Sequence, residues 1–132
     1  MAAFSNYLED QITGWIAGTA FATAPTATFV QLYNGDPTDA GSGGTGLFTR
    51  YQVASGAGSW TRGTGGNGTI TNASAFTITS SATATASATY VAVFDASAAG
   101  NLLFYGALTT AKTIASGDEV KFNTSALTLT VA

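Results

Sequence analysis

The chain has 132 residues, of which only 8% are charged, seven acidic against four basic, and it holds neither histidine nor cysteine; an ordinary soluble domain carries about 25% charged residues. Without those two residue types no His–Cys zinc site, no haem ligated by His or Cys, no thiol nucleophile, no disulfide framework and no Ser-His-Asp triad can be built. The net charge is −3 and the cations are scattered, so the basic footprint that nucleic acid or an anionic membrane surface requires is missing, and neither is expected as a partner.

The length suits one domain, 1–132, with 1–24 as a helical N-terminal segment and 25–132 as a β-sandwich. With 45% hydrophobic residues and fifteen aromatics, the chain is too apolar for disorder. Ala, Thr, Gly and Ser occupy the places where Lys and Glu usually keep copies apart. Such a surface is weakly protected against self-association and fits a protein that works inside an assembly. The N-terminus lacks the cationic start of a signal peptide, and the longest weakly polar stretch, 15–24, falls far short of about 20 apolar residues. The expectation is a soluble protein made in a cytoplasm without a secretion signal.

Residues 4–18 are predicted as the one helix. Phe4, Leu8, Ile12, Trp15 and Ile16 recur at spacings that gather on one helical face. Ser5 or Asn6 can cap it, Asn6 with Glu9 fits the cap-x-x-Glu pattern, and Gly18 suits a stop. A lone helix of about 15 residues is marginal in water, so its stripe must be buried, either on its own sandwich or on a neighbouring protomer. The expectation is that it lies at a protomer interface.

After Pro25 the chain reads as strands and turns. Residues 26–33 are β-rich and end at Asn34-Gly35-Asp36-Pro37, a strong turn signal. A small-residue loop runs over 36–46, followed by a short strand at 50–54. The glycine-rich 56–68 holds a brief strand around Trp60 and Arg62. Short strands are predicted at 69–71 and 76–79. Residues 80–89 alternate Ala with Thr or Ser, a period of two written in poor strand formers. The Tyr-Val-Ala-Val-Phe run at 90–94 is apolar on both faces and reads as a central strand; 102–108 is its hairpin partner, joined through 95–101. Val120, Phe122, Leu127 and Leu129 alternate with polar residues and read as an antiparallel pair of strands with one wet face. About seven or eight strands at this spacing predict a mainly β fold, a single antiparallel β-sandwich or jelly-roll-like barrel preceded by one N-terminal amphipathic helix.

Few constellations suggest chemistry. Asp36 and Asp39, with Asn34, sit in an oxygen-rich loop of the kind that can hold calcium, but no ligand ladder or closing Glu accompanies them, and a turn accounts for them. Asp118 and Glu119 would point to opposite faces of a strand and cannot pair as acid and base. No Ser stands in an S-x-x-K relation to Lys112 or Lys121, and no phosphate-loop pattern follows the glycines at 63–68. Glycosylation sequons at Asn67, Asn72 and Asn123 are chance matches in a Ser- and Thr-rich chain. Trp60 and Arg62, near Tyr51 and Phe48, can stack on a sugar or anchor an interface, or simply plug the end of the sandwich. No enzyme activity, metal or cofactor is expected. The candidate partner contacts are Phe4, Leu8, Ile12 and Trp15 on the helix, Asn34, Asp36 and Asp39 in the loop, and Trp60 and Arg62.

Four stretches resemble a family of small bacteriophage virion structural proteins, head-decoration or tail-fibre-like: Phe4-Ser5-Asn6-Tyr7-Leu8-Glu9, the FVQLYNGDPTD run at 29–39 with the Ala-Gly-Ser-Gly-Gly-Thr that follows, VFDASAAGNLLFYGAL at 93–108, and the strand pair around Gly117-Asp118 and Leu127-Thr128-Leu129. The middle, 46–88, departs from the pattern. The resemblance implies a virion protein rather than an enzyme. Its first reading is a capsid decoration (cement) protein, a homo-oligomer with a trimer favoured, binding the major capsid protein or other virion proteins on the outer head surface and stabilising the shell. The alternative is a tail-associated fibre or adhesin module that binds a host-surface glycan. A third reading, unrelated to phage, is a calcium-dependent binding domain.

Overall fold

The computed structural model describes residues 2–55, 59–66, 68–81 and 85–130. In chain order these form β1 (Ala2–Phe4), α1 (Asn6–Ile16), β2 (Ala27–Asn34), β3 (Thr45–Ser55), β4 (Trp60–Arg62), β5 (Thr69–Asn72), β6 (Phe76–Thr79), β7 (Ala86–Phe94), β8 (Leu102–Ile114), β9 (Glu119–Phe122) and β10 (Thr128–Thr130). A five-stranded sheet in the order β1-β8-β7-β2-β3 faces a three-stranded sheet, β10-β5-β4, and a two-stranded one, β6-β9. Every pairing is antiparallel. The sheets do not close on one another, so of the two expected architectures this is the sandwich.

The core lies between the layers. Val30, Leu32, Val53, Ala88, Val93, Phe104 and Ile114 come from the large sheet; Phe76, Ile78, Phe122, Leu127 and Leu129 come from the facing strands and the turn before β10. Phe122 stacks on Phe76 with ring centres 5.0 Å apart, and Phe76 stacks in turn on Tyr51 at 5.2 Å. The strand β7 explains its own composition. Val93 points into this core, whereas Ala92 and Phe94 join Tyr33 and Leu102 in a second buried cluster on the outer side of the sheet. A strand covered on both faces has no polar period to show.

The N-terminus differs from its expected course. The helix begins at Asn6, and Phe4 belongs to β1, paired with Phe104 on the edge of the large sheet. Ser5, 1% exposed, turns the chain. Its hydroxyl donates to the Leu102 carbonyl and accepts from the Leu8 amide, so Ser5 rather than Asn6 is the cap. At the far end the Gly18 amide donates to Trp15 O and the Thr19 amide to Gly14 O, with Gly18 at φ +91. These two bonds make a Schellman stop. The apolar stripe is not buried: α1 has no buried residue, and Trp15 and Ile16 are 62% and 74% exposed.

The last two strands also part company. Their expected alternation holds, with Phe122 and Leu129 buried and Lys121, Thr128 and Thr130 exposed. Yet β9 pairs with β6 and β10 with β5, not with each other. The turn between them crosses from one small sheet to the other. The strand expected at 50–54 is longer, beginning at Thr45, because 45–47 also pairs with β2 beyond a wide bulge. Ten strands form among the described residues, more than the seven or eight expected. Residues 82–84 of the Ala-Thr alternation, 56–58 of the glycine-rich stretch and the sequon at Asn67 lie outside the described residues.

Candidate functional site

Three features could meet a partner: the N-terminal arm, the loop after β2, and the β7–β8 hairpin with the arginine that holds it.

The arm comprises α1 and the extended segment that returns from Ala17 to β2. Trp15 tilts against Phe21 with ring centres 6.3 Å apart, and the Ala22 amide donates to Gln11 Oε1 at 2.8 Å. Residues 17–26 are exposed throughout. Between this arm and the sandwich lies a cleft of about 580 Å³, lined by Tyr7, Leu8, Gln11, Phe21, the 22–26 segment, Asp95 and Leu103. Asp95 is the carboxylate of that wall, and its two oxygens accept from the Asn101 amide and side chain, both at 2.7 Å. The cleft therefore offers apolar area with a few amide and hydroxyl groups, which is the chemistry of binding.

The loop after β2 is built from its own polar groups. Asp36 Oδ1 accepts from the Thr38 amide at 2.8 Å, the Gly41 amide donates to Thr38 O, and the Gly43 amide to Pro37 O. A Cβ on Gly43 would stand 2.5 Å from Asp36 O, so the loop closes only with glycine there. The Asp39 carbonyl accepts from the Asn6 amide at 3.0 Å, tying the loop to the helix start. Asp36, Asp39 and Glu9 all act on Tyr105. Desolvation is the first cause that raises this phenol's pKa above its ordinary value, and the three carboxylates add to it. Among the described residues no group of ligating side chains is arranged to hold a metal ion.

Of the candidate contacts, the arm group and the loop group come together. Leu8 lines the cleft and Ile12 is half-buried; Trp15 is exposed beyond them; the Asp39 carbonyl meets the helix start at the Asn6 amide, while Asn34 ends β2 opposite Thr45 and Asp36 holds the Thr38 amide. Phe4 instead packs against the core from β1. Trp60 and Arg62 stand on the other layer. The Trp60 indole donates to Thr28 Oγ1 at 2.9 Å and meets Phe104 edge-on at 5.6 Å, while Arg62 is exposed.

Sequence reasoning missed Arg50. Opposite Gln31, β3 bulges: Leu32 pairs with Leu47 and Val30 with Tyr51, so three residues face one. Phe48 takes φ +62 there. The bulge re-aims Arg50 across the sheet. Its Nε donates to Gln31 Oε1 at 3.2 Å, and its Nη1 to Ala96 O at 2.8 Å and Ala99 O at 2.6 Å. A lone Arg between Thr and Tyr carries no sequence signal of such a role. The residues of the cleft's strap, 21–26, were equally silent, because nothing periodic marks them.

No curated protein matches the chain. A family model described as Podophage GP4 fiber I protein gp80 does, over residues 3–130, and so also through 46–88, the stretch expected to depart from the phage pattern. With all but two residues at each end matched, the chain belongs to this podophage fibre protein family, and hence among the structural proteins of a phage virion.

Proposed function

We propose that the chain is a fibre module of a podophage virion, a rigid β-sandwich that binds and spaces other virion parts and carries out no reaction. The observation that carries this reading is the match to a fibre protein along nearly the whole chain. The structure supports it. Buried polar atoms of the described residues are satisfied, the core is continuous across both layers, and the polar groups of the loops are spent on holding the loops. A fibre that reaches the cell meets its glycans first, so a host-surface glycan is the ligand class this reading includes.

The capsid decoration reading keeps one supporting observation: the matched chain is a compact sandwich with no rod-forming repeat. The two readings place the same domain in different parts of the particle. Cryo-EM of the virion, with gold-labelled antibody against the chain as a second readout, tests them. Density for the sandwich on the tail is the expected result. Density on the shell lattice, repeating with the major capsid protein, would overturn the fibre reading in favour of decoration.

A further inference from the structure

We infer that the N-terminal arm is a self-association surface, which packs on the arm of a second copy of this chain and places Trp15 of each copy in the cleft of another. This goes beyond the fibre reading and does not depend on where in the virion the chain sits.

Three observations carry it. First, the large hydrophobic residues exposed among the described residues, Trp15, Ile16 and Phe21 at 62%, 74% and 48%, all lie on this one arm. Contiguous apolar patches of a few hundred Å² mark interaction sites on soluble proteins. A helix of 11 residues with no buried side chain is also too short to hold itself.

Second, the chain supplies both knob and hole. The cleft of about 580 Å³ has Tyr7, Leu8, Phe21 and Leu103 in its walls, so it accepts an aromatic ring on apolar surface. Gln11, Thr23 and Thr26 offer the indole N–H the polar partner it usually finds when buried. Trp15 touches Phe21, and Phe21 lines the cleft. Knob and hole are therefore contiguous, which lets two arms engage reciprocally about a symmetry axis.

Third, the charge pattern selects a copy over a foreign partner. From Gln11 to Gly35 no residue is charged, and the Asp95 oxygens are occupied by Asn101. A partner recognised by charge finds nothing complementary along 11–35, where the knob stands. Around the Trp15 knob a second arm meets no charged side chain; the acids of the arm, Glu9 and Asp10, stand in the first half of α1, and repulsion between copies is confined to that end and to Asp95 in the cleft wall.

The test uses the purified full chain. Sedimentation equilibrium over a concentration series should give a mass that is a multiple of the 13.2 kDa chain, with acrylamide quenching of tryptophan falling as the mass rises. Trp15→Glu, which removes the knob, and Ala24→Trp, which fills the hole, should each give the monomer with the β-sheet signal of the far-UV spectrum unchanged. Thr113→Glu, exposed on β8, should leave the mass of the native chain. A full chain that stays monomeric at the highest concentration reached overturns the inference. So does an oligomer whose mass survives Trp15→Glu, because its contact then lies elsewhere.

Discussion

The Arg50 guanidinium lies over the ring of Phe94, with Cζ 3.4 Å from the ring centre. Phe94 is the last residue of β7, and Arg50 reaches past it to the carbonyls of Ala96 and Ala99 in the hairpin that follows. One side chain thus covers the outer cluster and fixes the loop leading into β8. Burial lowers the guanidinium's pKa from its ordinary value, with Tyr33 and Asp95 acting in the opposite direction; an arginine keeps its charge regardless.

Arg50→Ala should therefore loosen the 95–101 hairpin. Hydrogen bonds to charged groups contribute about 1.5–3 kcal/mol, and this side chain is partly exposed, so the loss should be near ~2 kcal/mol for the set. Arg50→Lys keeps the charge but loses the planar fork, and should recover less than half. Urea denaturation gives the energies. Hydrogen exchange should show faster opening at 95–101 than in β5 or β10. Uniform exchange across the chain would mean that Arg50 does not hold this loop.

Asn72 makes the corresponding fastening on the other layer. It is fully buried. Its Oδ1 accepts from the Leu127 amide at 2.9 Å, and its Nδ2 donates to Ser74 O at 2.9 Å and Asn123 O at 2.8 Å. With the Asn72 backbone, which donates to Leu127 O and accepts from the Ser125 amide, this side chain holds the turn that carries the chain from β9 to β10. Asn72→Ala leaves the buried Leu127 amide without its partner and takes a donor from Ser74 O and Asn123 O, and should cost about 1–3 kcal/mol. Asn72→Asp replaces the nitrogen that makes both donations by an oxygen facing the two carbonyls, and should cost at least as much. A loss under about 0.5 kcal/mol, the usual range at the surface, would show that water replaces the amide.

What the sequence revealed follows the range of each interaction. The alternation through 120–129 depends on neighbours two residues apart, so its inward face was legible, as were the helix cap region and the Gly18 stop. Pairing is not local. Nothing within β9 says that its partner is β6 rather than β10, and the deciding feature, the Asn72 amide gripping the turn, lies about 50 residues upstream. Phe4 fitted a helical stripe by spacing but became a strand because the edge of β8, a hundred residues on, offered it a ladder. Arg50 was invisible for the same reason, its partners standing 46 and 49 residues away. The candidate contacts on the helix were legible as an apolar stripe. That the stripe stays exposed was not, because periodicity names a face and not what covers it.

The register of β9 and β10 gives a paired test. Phe122 is 7% exposed and stacked on Phe76. Phe122→Ala should cost about 3–5 kcal/mol, through lost burial and the cavity left behind. Thr128, exposed on the opposite face, donates its hydroxyl to Ser125 O at 3.4 Å. Thr128→Ala should fall within about 0.5 kcal/mol. Chemical denaturation midpoints compare the two, and equal midpoints would mean a register shifted by one residue.

Gly100 closes the hairpin that Arg50 holds. It sits at φ +68, and a Cβ there would stand 2.5 Å from Asp95 Oδ1 and 2.6 Å from Ala96 Cβ. Gly100→Ala should push Asp95 off the Asn101 amide and cost about 1–3 kcal/mol, strain and lost hydrogen bond together. Asp95→Ala combined with Gly100→Ala should cost less than the sum of the two single losses, because the first change removes one of the clashing atoms. Strict additivity in a double-mutant cycle would place the strain in the backbone alone.

Tyr105 supplies the pH dependence. Desolvation and the carboxylates of Asp36, Asp39 and Glu9 raise its pKa above the ordinary 10.0. The neutral phenol is thus favoured by the fold. Its contribution to stability is complete below the unfolded-state pKa and is lost as pH rises through the higher folded-state value. Tyr105 is half-buried against the outer cluster, and the effect is shared among desolvation, the three carboxylates and Tyr90. Tyr105→Phe should remove a late component from the ultraviolet titration of the phenols and flatten the fall in melting temperature above pH ~10. Asp36→Asn should shift that component to lower pH without removing it, and raising the salt should do the same, because screening weakens all three carboxylates together. A late component that ignores both salt and Asp36→Asn would leave desolvation as its sole cause and place the loop after β2 farther from Tyr105 than the fold has it.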